Sequence, residues 1–140
     1  MTSYNILHLQ TLIKMKHRKE WDRRKVMSAA TKITSTITGM PRGTDNHSKV
    51  EDGAIRIAQI DEVLKAIDND VNETWKNIEP VISKYEQDTK GDAFKERNAQ
   101  IFRSRYQDTF TIEEIADNMA LSSRRVKQII KEMERVLLTY

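Results

Sequence analysis

Thr111-Ile112-Glu113-Glu114-Ile115-Ala116-Asp117-Asn118-Met119-Ala120-Leu121-Ser122-Ser123-Arg124-Arg125-Val126-Lys127-Gln128-Ile129-Ile130-Lys131 reads as two short helices joined by a turn. Thr111 and Glu114 have the spacing of a capping box. The hydroxyl accepts from the Glu114 amide while the carboxylate reaches back to the Thr111 amide. The helix opened there would bury Ile112, Ile115, Ala116 and Met119. The pattern breaks at Leu121 and Ser122, and either Ser122 or Ser123 can cap a second helix. In that second helix Val126, Ile129, Ile130, Met133 and Leu137 share one side. At about 100° per residue, Arg124, Gln128, Lys131 and Arg135 lie opposite, flanked by Arg125 and Lys127.

This is the spacing of a helix-turn-helix. Ala116 is small where the helices must cross closely, a short turn follows, and Val126 and Ile129 hold the second helix on the first. Such a second helix enters the major groove of DNA with its N-terminal residues at base edges. Ser123, Arg124 and Gln128 are the expected base contacts, since Arg suits guanine O6 and N7 and Gln suits adenine N6 and N7. Ser122, Arg125, Lys127 and Lys131 are the expected phosphate contacts. Ser122 to Lys131 holds four bases and no acid. Ala120 stands where the turn commonly has Gly. A left-handed Ala costs roughly 1–2 kcal/mol, so a slightly different turn geometry is expected.

The flanking sequence is helical too. Four Gly and two Pro in 140 residues are too few for the many turns of an all-β chain. Ile57, Ile60, Leu64, Ile67, Val71, Thr74, Ile78, Val81 and Tyr85 recur at three- and four-residue steps, a heptad seam with one polar interruption. Pro80 lacks an amide hydrogen and crowds the preceding turn, so a kink or break is expected there. The partner helix is read at 4–38, with Ile6, Leu9 and Ile13 on one apolar edge and Val26, Ala30, Ile33 and Ile37 on another. The expected fold is all-α. Residues 1–88 form a long antiparallel helical hairpin or coiled coil, with helices about 4–38 and 49–86 around a turn at 39–48. Residues 92–140 form a helix-turn-helix domain. Trp21 and Trp75, at helical spacing, are expected to pack between helices.

The net charge of +3 hides a polarised chain. Residues 1–40 carry eight bases against two acids, a net of +6. Residues 41–95 carry eight against twelve, −4, and residues 96–140 eight against seven, +1. Part of the basic stretch 14–25 is expected to be neutralised by Asp61, Glu62, Asp68, Asp70 and Glu73, and the rest to be a solvated face or a partner contact. Arg23, Arg24 and Arg42 are candidate secondary contacts. Gly39-Met40-Pro41-Arg42-Gly43 reads first as a structural turn. It would also display Arg42, with His47 and Lys49, at the hairpin tip.

Two stretches resemble known families. Ile101-Phe102-Arg103-Ser104-Arg105-Tyr106 followed by Thr111-Ile112-Glu113-Glu114-Ile115-Ala116 resembles the region 4 helix-turn-helix of sigma factors. Ala30-Thr31-Lys32-Ile33-Thr34-Ser35-Thr36-Ile37-Thr38-Gly39-Met40-Pro41-Arg42-Gly43 closely resembles a signature of small phage and prophage proteins. Those are similar to the RinA and ArpU groups of phage transcriptional regulators. The resemblance implies a phage-encoded regulator in the cytoplasm of a bacterial host, binding double-stranded DNA and contacting RNA polymerase as an activator of late genes.

Other chemistries find little support. The chain has no Cys, so no thiol nucleophile or zinc finger. Asp68, Asp70, Asn72 and Glu79 fall on calcium-loop positions, but Glu73 stands where the loop wants Gly and Lys76 puts a cation at the ninth position. His8, His17 and His47 are scattered and read as surface residues. No glycine-rich phosphate loop or Ser-His-Asp set is visible, so neither an enzyme nor a cofactor is expected. The longest apolar run, Val136 to Leu138, is far short of the ~20 residues of a membrane span. Tyr4, Asn5 and His8 interrupt the N-terminal apolar residues, unlike a secretory signal. The expected assembly is a homodimer or small homo-oligomer formed through the hairpin. Alternatives are a DNA-packaging protein such as a small terminase subunit, or a polymerase-binding adaptor that does not touch DNA.

Overall fold

A computed structural model describes the backbone of residues 3–37 and 44–140 and the side chains of 3–29 and 51–140. Among them are five helices and no strand: α1 Ser3–Ile37, α2 Thr44–Asp88, α3 Ala93–Tyr106, α4 Ile112–Met119 and α5 Ser123–Leu138. The expected tip at Arg42 and the side chains of Ala30, Ile33, Ile37, His47 and Lys49 lie outside the described residues. α2 begins at Thr44, five residues before the expected start at 49. The polar residues read there as turn formers are equally the types favoured in a helix's first turn. None of the helices is long and apolar enough, among the described residues, to cross a membrane.

The chain forms two compact units. One comprises residues 14–68, where the two long helices run antiparallel. Lys16 pairs with Asp68 at 2.7 Å and Arg23 with Asp61 at 2.7 Å. Seven residues forward along α1 therefore correspond to seven residues backward along α2, two turns of each helix. Ile57, Ile60 and Leu64 of the seam are half-buried in this unit and Ile67 is buried. Trp21 does not pack between helices as expected: it is 50% exposed.

The second unit joins residues 1–13 to residues 69–140. Its core holds Ile6, Leu9, Leu12 and Ile13 of α1, Val71, Trp75, Ile78, Ile82 and Tyr85 of α2, and the apolar faces of α3, α4 and α5. Trp75 is buried as the spacing suggested and meets the Phe102 ring at 6.0 Å. Thr74, the polar interruption of the seam, is buried with its hydroxyl donated to the Asp70 carbonyl at 2.8 Å, so its burial leaves no donor unmet. Past Thr74 the buried position moves from Val81, half-buried, to Ile82.

The expected break at Pro80 does not occur; α2 runs on to Asp88. Pro80 and Lys76 both face solvent, so water can satisfy the carbonyl that lost its amide partner. Ile78 and Ile82 are fully buried on either side and hold the helix in register. The run Asp68–Glu79, considered above as a calcium loop, is continuous helix, with Asp68 engaged by Lys16.

Arg103 ties α3 to α2. Its guanidinium donates to Glu79 at 2.8 and 3.0 Å and to Glu86 at 2.5 and 3.1 Å, while lying 5.8 Å from the Trp75 ring. Hydrogen bonding to Arg103 holds the Glu79 carboxyl below its ordinary value of 4.5, against the upward pull of burial and with further help from Trp75. The planar fork places five fixed donors, enough for two-point contact with each of two carboxylates, which an ammonium with three donors cannot match. Gln10 Nε2 donates to the Tyr106 hydroxyl at 3.2 Å and to Glu134 at 3.3 Å, and Tyr106 donates to Glu134. Burial, then the bond to Glu134, pushes the Tyr106 phenol up. The first helix thus reaches both α3 and α5.

Arg103→Lys should lower stability by about 1–2 kcal/mol, a charge-assisted loss discounted for partial exposure. Glu79 has a depressed folded pKa, so its share of stability is present above pH 4.5 and lost as pH falls through the folded value. The gap between wild type and variant in urea unfolding should therefore narrow on acidification. A gap that widened would contradict the assignment.

Candidate nucleic-acid interface

α3 starts at a turn that needs its glycine. Gly91 sits at φ +96°, its amide donates to Glu96 at 3.0 Å, and Asp92 caps the helix by accepting from the amides of Phe94 and Lys95. α4 starts at Thr111, whose hydroxyl accepts from the Glu114 amide at 3.1 Å. Only half of the expected capping box forms. The Glu114 carboxylate accepts from the Thr111 hydroxyl, 3.1 Å away, and not from the Thr111 amide. Ile115 and Ala116 are buried, and Ile112 and Met119 half-buried.

The turn between α4 and α5 takes the left-handed geometry that Ala was expected to resist. Ala120 lies at φ 54°, ψ 43°. Its amide donates to the Asp117 carbonyl at 3.4 Å, and the Leu121 amide to Ala116 at 3.0 Å. That is the paired closure of a Schellman turn. These bonds satisfy carbonyls at the end of α4 and so offset the steric cost of the Ala side chain. The α3–α4 loop carries a second such residue, Thr109, buried at φ 60°, a conformation unusual for a β-branched side chain.

Ser122, not Ser123, is the N-cap of α5: its hydroxyl accepts from the Arg125 amide at 3.1 Å. Val126, Ile129, Ile130, Met133 and Leu137 are buried as expected. Arg124, Arg125, Lys127, Gln128 and Lys131 are all exposed. Helical geometry places Lys127, Lys131, Arg124 and Gln128 within an arc of about 100° opposite the buried stripe, with Arg125 to one side. From Arg124 to Lys131 the helix rises about 10 Å, comparable to the ~12 Å width of the major groove. Ser123 is half-buried, the least accessible of the expected base contacts. Arg135, which the expected contact set left out, is exposed on the same arc.

The charges at the three helix starts differ. α3 has Glu96 in its first turn and α4 has Glu113 and Glu114, the signs that the positive N-terminal dipole favours. α5 has no acid there and carries Arg124 and Arg125 instead. Two cations beside exposed amides repel each other and the dipole, an arrangement relieved when an external anion sits at that end. Of the secondary candidates, Arg23 is engaged by Asp61, Arg24 is exposed, and Arg42 lies outside the described residues.

The family model described as Sigma-70, region 4 matches residues 92–133, from the cap of α3 to Met133 of α5. Residues 92–133 form a sigma-70 region 4-like helix-turn-helix domain. No curated protein and no solved structure matches the chain. The region 4-like domain leaves α1 and α2 outside the matched stretch. Its fold nevertheless draws on them, through Arg103 with Glu79 and Glu86 and through Gln10 with Tyr106 and Glu134.

Ala120→Gly should stabilise the protein by about 0.5–1 kcal/mol, the relief of a left-handed Ala less the added freedom of the unfolded chain. Thermal unfolding measures it. Destabilisation would mean that the Ala120 methyl group contributes packing that outweighs its strain.

Proposed function

We propose that this chain is a transcription regulator, of the kind that phage and prophage genomes encode, which reads specific duplex DNA with α5 in the major groove. The carrying observation is the first two and a half turns of α5, Ser123 to Lys131. Four exposed cations and a glutamine face outward from a helix whose start bears bases where its neighbours bear acids. The region 4-like match over residues 92–133 supports the same reading. In it, Arg124 and Gln128 read guanine and adenine edges, while Arg125, Lys127 and Lys131 hold phosphates. Ser122 caps the helix and can still donate its hydroxyl proton to a phosphate, and Ser123 is a marginal base contact. Contact with RNA polymerase is the further role that the region 4-like domain suggests.

Arg124→Ala and Gln128→Ala should each cost about 1–3 kcal/mol against the preferred base and relax selectivity at that position. Sites selected from random DNA, followed by competition binding, measure this. Equal losses on every DNA sequence would contradict base reading, and no DNA binding beside retained polymerase binding would select the adaptor alternative.

Arg125→Glu completes a capping box with Ser122 and replaces a cation at the positive helix end. It should raise stability by about 0.5–1 kcal/mol while weakening DNA binding at least tenfold. Opposite signs in unfolding and binding assays are the expected signature, and unchanged binding would remove Arg125 from the interface.

A further inference from the structure

α1 carries two kinds of cation between residues 14 and 25. Lys16 and Arg23 lie on one side of the helix and are paired with Asp68 and Asp61. On the opposite side, Lys14, Arg18, Trp21 and Lys25 fall within an arc of about 60°, a row about 16 Å long. All four are exposed. Lys14, Arg18 and Lys25 form no ion pair with a described residue, nor does neighbouring Arg24. The two acids of this stretch, Glu20 and Asp22, fall outside the arc, and Glu20 lies 3.8 Å from His17. Lys25 Nζ sits 3.8 Å from the centre of the half-exposed Trp21 ring.

This row is costly if it does nothing. Lys14 and Arg18, one turn apart, repel each other, and a half-exposed indole leaves a large apolar surface in water. The acids of α2 that answer Lys16 and Arg23 do not answer these. We infer that the face formed by Lys14, Arg18, Trp21 and Lys25 is a second nucleic-acid contact, tracking the phosphodiester backbone without reading sequence. Cations aligned along one helix face with an aromatic among them combine counterion release with a stacking surface. This face belongs to the unit of residues 14–68 and its existence does not depend on the recognition helix.

The test uses the full chain and the triple variant K14A/R18A/K25A, whose altered side chains are all exposed, with circular dichroism confirming the helices. Binding to a duplex and to a single-stranded oligonucleotide of unrelated sequence is followed as a function of salt. Removing three phosphate contacts should make the log–log salt slope shallower by about 2–3 on duplex and weaken all sequences alike. The conservative K14R/K25R variant should keep the wild-type slope. Trp21 emission should change on saturation with the oligonucleotides, and W21F should lose that change, since Trp75 is buried. A larger change with the single strand assigns Trp21 to base stacking; a similar one assigns it to the backbone of either form.

An unchanged slope in the triple variant, with silent Trp21 emission, would overturn the inference even where selected sites are still bound through α5. Emission that responds to polyglutamate but not to either oligonucleotide would overturn it in favour of an acidic protein partner. Sequence-independent binding lost in the triple variant, beside binding to selected sites that Arg124→Ala and Gln128→Ala leave unchanged, would sustain this contact while sinking the reading of α5.

Discussion

Burial of Val126, Ile129, Ile130, Met133 and Leu137 along one side of α5 decides the orientation of everything else on that helix. Each such side chain gains roughly 1.5–3 kcal/mol by leaving water, far more than any exposed charge can set against it. Arg124, Lys127, Gln128 and Lys131 therefore have one place to go, outward, and they go there as a group because the helix repeats every 3.6 residues. The remaining elements serve this packing. α3 and α4 pack against α5 with buried apolar residues of their own, and α1 reaches it where Gln10 donates to Glu134.

The same domain holds arrangements that stability alone would not select. Ala120 and Thr109 adopt left-handed backbone angles without glycine, and α5 begins with two arginines where α4 begins with two glutamates. Strain of this kind persists where surrounding structure over-determines it and tends to gather at functional sites. The Schellman closure at Ala120 and the Ser122 cap supply that determination at the two ends of the turn. The turn thereby fixes where α5 starts relative to the buried stripe, which is what a helix reading base edges requires.

Local chemistry made the C-terminal domain legible. Caps, apolar spacing and the short turn act over four or five residues, so Thr111 and the buried face of α5 could be placed from the sequence and the cap of α5 narrowed to Ser122 or Ser123. Long-range partners could not. Nothing near Arg103 in the chain points to Glu79 and Glu86, and nothing near Gln10 points to Tyr106 and Glu134. Pro80 misled because its effect depends on which side of α2 faces water, a property of the packed structure. The two tryptophans differ for a similar reason: Trp75 meets Phe102 from α3, whereas Trp21 lies on the side of α1 away from the pairing with Asp61 and Asp68. The capping box was half right because a carboxylate can return to a hydroxyl as readily as to an amide.

The excess of bases at the N-terminus is best understood as two separate populations. A helix paired along one side neutralises only the charges facing its partner, and salt screens the rest without removing the repulsion between Lys14 and Arg18, one turn apart. Lys16 and Arg23 are answered by carboxylates on α2; Lys14, Arg18 and Lys25 are not. Were the excess merely a device for solubility, bases and acids would be expected to intersperse on the outer face, since mixed signs serve solubility without self-repulsion. They do not. The row is of one sign and carries an exposed indole, and such a surface gains most from a partner that supplies both negative charge and a face to stack on. A nucleic-acid strand offers both at once, the same chemistry proposed for the outer side of α5.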